Sequence, residues 1–114
     1  MPECIFCRIA KKEIPSEIVL ETEELVGFRD TNPQAPTHIL LIPKRHIPKL
    51  LNLEASDDGL IGRIVRAANE LARREGIAER GFRIVANCNR EAGQSVDHIH
   101  FHLLGGRPMG WPPG

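Results

Sequence analysis

The chain has no surplus of either charge: 15 Lys and Arg stand against 15 Asp and Glu, so the formal net charge at pH 7 is zero. Sequence-independent binding of nucleic acid rests on a surplus of cations, as does a polybasic membrane anchor, so neither partner is expected. Long apolar runs are missing as well. The longest, Ile39-Leu40-Leu41-Ile42, falls far short of the roughly 20 residues that a membrane helix needs. The N-terminus carries no charged segment followed by an apolar stretch and a cleavage site, so no secretory leader is expected. Cysteine is scarce, at three residues. An odd number with two of them three apart suits a reducing compartment better than a disulfide framework, and the expected location is cytoplasmic. Proline and glycine are not in excess, and a hydrophobic content of 41% with 26% charged residues excludes disordered and fibrous classes. At 114 residues the expectation is one domain, residues 1–114 including a C-terminal tail at 105–114, with a single modest core.

The hydrophobic pattern supplies the elements. Residues 4–12 suit a short helix with Ile5, Phe6 and Ile9 apolar, closed by Glu13-Ile14-Pro15. Residues 17–21 and 25–29 read as two strands of a hairpin across Thr22-Glu23-Glu24, and residues 38–42 as a third strand ended by Pro43. Ser56 has the chemistry of a helix N-cap, with Asp57 and Asp58 complementing the dipole of the first turn. Leu60, Ile61, Ile64, Val65, Ala68, Leu71 and Ala72 then fall on one helical stripe, and Gly76 suits the C-terminal stop. Residues 82–87 and 96–104 read as the fourth and fifth strands, antiparallel neighbours because the loop at 89–94 is short. Strands outnumber helices without alternating with them. The expected class is therefore α+β: a five-stranded antiparallel sheet, one long helix covering one face, and a short N-terminal helix.

Composition alone would scatter the five histidines, yet three fall in His98-Ile99-His100-Phe101-His102. In a strand, alternation puts these three imidazoles on one face, spread over about 13–14 Å, and sends Ile99, Phe101 and Leu103 to the other. Three uses of such a row compete. It is an ordinary polar sheet face, or a catalytic metal site in which His at i and i+2 both ligate zinc, or a set of imidazoles acting on a phosphate as base, acid and nucleophile without metal. Spacing leaves the last two open.

The segment Gln94-Ser95-Val96-Asp97-His98-Ile99-His100-Phe101-His102-Leu103-Leu104-Gly105-Gly106 resembles the signature of the histidine triad (HIT) family. Ile5-Phe6-Cys7-Arg8-Ile9, Glu13-Ile14-Pro15, Phe28-Arg29-Asp30, Pro33-Gln34-Ala35-Pro36-Thr37-His38 and Ile42-Pro43-Lys44-Arg45-His46-Ile47 resemble that family in the same order. The Trp111-Pro112-Pro113-Gly114 ending is similar to that of its Hint branch. The resemblance implies hydrolysis of purine nucleoside 5′-phosphoramidates through a covalent nucleotidyl-histidine, with His100 as nucleophile. His102 would bind the phosphoryl oxygens, His38 would orient or relay protons, and Ser95 would lie near the phosphate and leaving group. Asn87 resembles the family asparagine that binds the sugar-phosphate part of the ligand. Asp30 is typed for the ribose, because a carboxylate accepts from both the 2′ and 3′ hydroxyls, Gly93 would let the backbone approach the phosphate closely, and Val96 is expected among the substrate-binding residues. Phe6, Ile9, Ile14 and Phe28, plain core residues by pattern, would form the slot for the base, with Thr31 at its edge. The family forms two-fold dimers whose sheets join edge to edge, which also protects an edge strand.

Cys4 and Cys7 have the spacing of half a zinc site. The resemblance implies a structural zinc completed by His46 and His98, with no cofactor required at the reacting atoms. Two positions depart from the family: Gly110 stands where a polar or histidine residue is common, and Asp97 where an aromatic or apolar one is frequent. Two other functions fit the same residues, a dinucleoside polyphosphate hydrolase and a nucleotide-binding sensor or scaffold with incidental catalysis.

Overall fold

The computed structural model describes residues 4–114. Two helices, α1 (Ile5–Ala10) and α2 (Asp58–Arg74), accompany strands β1 (Ile18–Glu21), β2 (Leu25–Arg29), β3 (Thr37–Pro43), β4 (Phe82–Ala86) and β5 (Phe101–Gly105). The strands form one antiparallel sheet in the order β1-β2-β3-β5-β4. This is the expected α+β class. Among the described residues no helix is long and apolar enough to cross a membrane.

β3 lies at the centre and is buried on both faces, so its run of apolar residues serves two cores in alternation. Ile39 and Leu41 join Leu25, Phe101, Leu103 and Ile99 beneath α2, which contributes Leu60, Ile64, Ala68, Leu71 and Ala72. Leu40 and Ile42 point the other way, to Val26, Phe28 and the α1 residues Phe6 and Ile9. The helical stripe read from the sequence is the buried face of α2, except that Val65 sits at its margin, 39% exposed. Arg29 fastens the end of that helix to the sheet: its guanidinium donates twice to Glu75 at 2.9 Å, which holds the Glu75 carboxyl below its usual range. Gly76 follows with φ +73°, the left-handed conformation that closes a helix at little cost only for glycine.

Two expectations fail. Ser56 is not the N-cap. A 3-10 turn spans Ala55–Asp57, and Asp57 is the residue before α2; its carboxylate accepts the Glu54 backbone N–H at 2.9 Å and pairs with Arg45. Those two donors, the N–H first, also hold the Asp57 carboxyl below its usual range. Both residues have capping chemistry, but Arg45 supplies a partner that a hydroxyl cannot match. Nor does β5 begin at Val96. Its last rung pairs Leu41 with Phe101, and residues 96–98 form a bend outside the ladder. The neighbouring strand ends there in Pro43, which has no N–H to extend the rungs. Only His102 of the three triad histidines therefore sits in the sheet.

Candidate functional site

The site lies on the face of the sheet opposite α2. His38 and Leu40 of β3 and His102 of β5 point to that face, where Leu40 is the register partner of His102 and His38 its diagonal neighbour. A cavity of about 280 Å³, close to the lower end of small-molecule sites, opens against Leu40 and His102, while His38 stands behind its wall, in contact with His102 and Asp30. Its walls bring together Phe6, Ile9, Ile14, Phe28, Asp30, Thr31, Ser95, His100 and His102, all singled out in the sequence. Ile5, Pro15, Ser16, Arg29 and Leu40 line it too. Leu40 was legible as sharing the His38 face by alternation, whereas Ser16 carried no signal beyond following Pro15. Asn87, Gly93 and Val96 are not among the lining residues. Asn87 lies just past β4, Gly93 is in an exposed turn with φ +84°, and Val96 packs on the α1 core.

Ser95 is placed by its neighbour. The Gln94 side-chain amide donates to the Pro48 carbonyl at 2.8 Å and the Val96 carbonyl at 3.0 Å, while its oxygen accepts the Asn89 N–H at 3.0 Å. One side chain thus ties the loop between β4 and β5 to the segment after β3. The sequence signal for this role of Gln94 is an amide, able to donate and accept, in a loop.

Backbone groups fix the proton on each imidazole, because a carbonyl only accepts and an amide N–H only donates. His100 Nδ1 lies 2.8 Å from the His98 carbonyl and must carry its proton, so Nε2 bears the lone pair. His38 Nδ1 accepts the Gln34 N–H at 3.0 Å, which puts its proton on Nε2, 2.8 Å from His102 Nδ1. His102 then accepts at Nδ1 and keeps a donor at Nε2. Asp30 completes the chain, one oxygen accepting the Asn32 N–H at 2.8 Å and the other 3.5 Å from His38 Nε2. Ring edges are close throughout: His100 to His102 and Phe6 to His100 both have centroids 5.1 Å apart.

Burial disfavours the charged form of His102 and His38. It pushes the His102 pKa down to about 4, with His100 and His38 adding like-charge repulsion and Asp30 opposing. It lowers His38 as well, against the Asp30 carboxylate. The folded state thus resists a proton that the unfolded chain accepts near 6.5. Stability is therefore level above that pH and falls as the pH drops toward 4. We expect melting temperature to decline between pH 6.5 and 4.5 and His102→Gln to flatten that slope, measured by calorimetry at fixed ionic strength. An unchanged slope in the variant would contradict the assignment.

His98 leaves the row altogether. Its ring is fully buried, donates from Nε2 to the Pro43 carbonyl at 2.8 Å, and turns Nδ1 toward Cys4 Sγ at 3.3 Å, Cys7 Sγ at 3.5 Å and His46 Nδ1 at 3.3 Å. Cys7 Sγ is 3.4 Å from His46 Nδ1. The four donor atoms lie within 4.8 Å of one another, and two thiols with two imidazole nitrogens match tetrahedral zinc. The Pro43 carbonyl provides the outer hydrogen bond that metal-binding histidines commonly make. Burial and the adjacent Cys4 push the Cys7 thiol pKa up, so a cation there would displace a proton. A metal shared by all three triad histidines does not fit, since His98 faces the cysteines and His100 Nδ1 is committed to a carbonyl. Asp30, His38 and His102 also approach one another, yet the His38 Nε2 proton occupies the position a metal would need. Asp97 is exposed and belongs to neither cluster.

A family model described as HIT domain matches residues 11–109. The chain is similar to the purine nucleoside phosphoramidase of Escherichia coli, 50% identical over 108 residues that cover 95% of this chain and 91% of the relative. It is similar in structure to a HIT family hydrolase from Legionella pneumophila, with a TM-score of 0.97 and 50% identity over 98% of this chain and 100% of that one. A histidine triad nucleotide-binding protein from Candida albicans aligns with a TM-score of 0.83 and 37% identity over 96% of this chain and 83% of its own.

Proposed function

Because the chain belongs to the HIT domain family, we propose that it is a hydrolase cleaving purine nucleoside 5′-phosphoramidates through a nucleotidyl intermediate on His100. The observation that carries this reading is the His100 ring on the wall of the cavity, held by the His98 carbonyl at Nδ1, which leaves Nε2 as the nitrogen available for attack. Phe6, Ile9, Ile14 and Phe28 take the base and Asp30 accepts from the ribose hydroxyls, which places the α-phosphate near Ser95, His100 and His102. His100 Nε2 attacks phosphorus, the phosphorus–nitrogen bond breaks, and the leaving nitrogen takes up a proton from solvent, which the hydrolytic water returns in the second step. The imidazolium formed keeps its Nδ1–H on the carbonyl, which stabilises the new positive charge. His102 Nε2–H and the Ser95 hydroxyl donate to the phosphoryl oxygens as charge grows on them. Water then attacks the same phosphorus, releasing the nucleoside monophosphate and restoring neutral His100.

Cys4, Cys7, His46 and His98 would hold a zinc ion, which when bound supplies a structural crosslink outside the reacting atoms. Reduced thiols at that site accord with a cytoplasmic location. A homodimer is part of the same reading: β4 is an edge strand of half-buried residues, and nearby Trp111 is 83% exposed on a tail whose Gly110 carbonyl accepts from Arg83. Light scattering is expected to give twice the chain mass of 12.7 kDa, and a monomer at micromolar concentration would remove this element.

The test is to mix the protein with adenosine 5′-phosphoramidate, quench within the first turnover and weigh the intact protein. A transient adenylyl adduct followed by AMP release is expected. AMP binding with no adduct and no release would favour the sensor function.

A further inference from the structure

His98 serves two sites at once. Its side chain belongs to the cysteine cluster, and its carbonyl makes the 2.8 Å bond that leaves His100 Nε2 free. The carbonyl is not held by sheet register, because the ladder begins at Phe101 and residues 96–98 form a bend. What fixes it is the His98 ring, with its Pro43 and cysteine contacts, and the adjacent 2.6 Å bond from the Ile99 N–H to the Ile47 carbonyl, next to His46. The same cluster holds the other wall of the cavity. Cys4 is the N-cap of α1 and Cys7 lies within it, and this six-residue helix, too short to be stable alone, presents Ile5, Phe6 and Ile9 to the cavity. The Phe6 ring stands edge-on to both His98 and His100, at centroid distances of 6.0 and 5.1 Å.

We infer that a thiophilic divalent cation such as zinc, bound by Cys4, Cys7, His46 and His98, positions both the His100 nucleophile and the α1 wall, so that metal binding and nucleotide binding are coupled. The inference rests on the proposed nucleotide site and on the fit of the four ligands to zinc. The cation touches neither substrate nor reacting atoms; it acts through the His98 carbonyl and through α1. His98 is on this account a positioning residue. Coupling of this kind is reciprocal, so AMP tightens zinc by the same factor by which zinc tightens AMP, and such factors are commonly about 5–150-fold.

The experiment measures AMP affinity by calorimetry on zinc-loaded and chelated protein, and zinc affinity by competition with a chromophoric chelator with and without AMP. Nitrogen-15 spectra of the His100 ring are recorded in parallel. Weakening of AMP by about tenfold on chelation, matched by the same factor for zinc, is expected, with the His100 Nδ1–H signal sharp only in the loaded form. His46→Asn removes an exposed ligand that does not line the nucleotide cavity. It should behave as the chelated protein at low zinc and recover AMP affinity at high zinc, which separates coupling from loss of fold. Equal AMP affinity in both forms with an unchanged His100 signal would overturn the inference, as would failure of the intact protein to take up zinc. None of these readouts needs turnover. Absence of an adenylyl adduct would defeat the proposed reaction alone, while a coupled, reactive protein would support both.

Discussion

Replacing His100 by alanine should abolish the adenylyl adduct and lower kcat for phosphoramidate hydrolysis by roughly four to six orders of magnitude, the scale seen when a covalent nucleophile is removed. No other imidazole can take its place. His102 has its Nδ1 engaged by His38, and its remaining nitrogen carries the proton; His98 is fully buried with its free nitrogen toward the cysteines. AMP should still bind, since the apolar slot and Asp30 are untouched, so the loss appears in kcat far more than in affinity. His102→Ala provides the comparison. It removes a phosphate donor rather than the attacking atom, and a smaller loss, about 10²–10³-fold with the adduct still forming slowly, is expected. AMP release by His100→Ala at more than a thousandth of the wild-type rate would mean that another group attacks.

The largest effect on stability is expected at Leu71. This side chain is 1% exposed on the inner face of α2, and it packs over Gly27 of β2, where a Cβ would stand 3.5 Å from Leu71 Cδ1 and 3.1 Å from Leu41 Cδ2. Leu71→Ala opens a cavity above a residue with no side chain to fill it, so relaxation is limited and the cost lies toward the upper part of the usual range of about 2–5 kcal/mol. For a chain of this size that corresponds to a fall in melting temperature of roughly 10–20 °C. The reacting groups lie on the opposite face of the sheet, so kcat/KM per folded molecule at 25 °C should stay within about threefold of wild type. Calorimetry and steady-state kinetics on one preparation check both statements. A loss of activity in step with stability would show that the α2 face and the cavity are mechanically linked through β3.

Much of the site could be read in the residues, but not its wiring. Alternation correctly sent Ile99, Phe101 and Leu103 to the core beneath α2, because that assignment needs only the period of an extended chain. The same alternation misplaced His98, since it continues unbroken through residues 96–100 while the strand does not. What stops the ladder is Pro43, 55 positions away from His98 in the chain, and what captures the ring is a pair of cysteines more than 90 positions away. Ser56 and Asp57 were equally good caps by type, and a distant arginine decided between them. Asn87 was carried by resemblance and Gly93 by glycine's freedom of backbone approach, and the cavity reaches neither of them nor Val96.

By itself the sequence determined the α+β class, the hairpin across residues 22–24 and the buried stripe of α2, and its resemblance to the family implied the gathering of His38, His100, His102, Ser95 and Asp30 at one site. Those follow from periodicity, turn chemistry and a dense ordered motif, all local properties of a chain. Tertiary structure decided which nitrogen of each imidazole carries the proton, which histidine joins the cysteines, and where β5 begins. Each histidine's place depends on one to three partners brought within 3.5 Å by folding: the Gln34 N–H for His38, the His98 carbonyl for His100, the Pro43 carbonyl and two thiols for His98. A side chain's type says what it can bond to, and only the fold says which partner reaches it, because hydrogen bonds and metal ligation are short-ranged and directional.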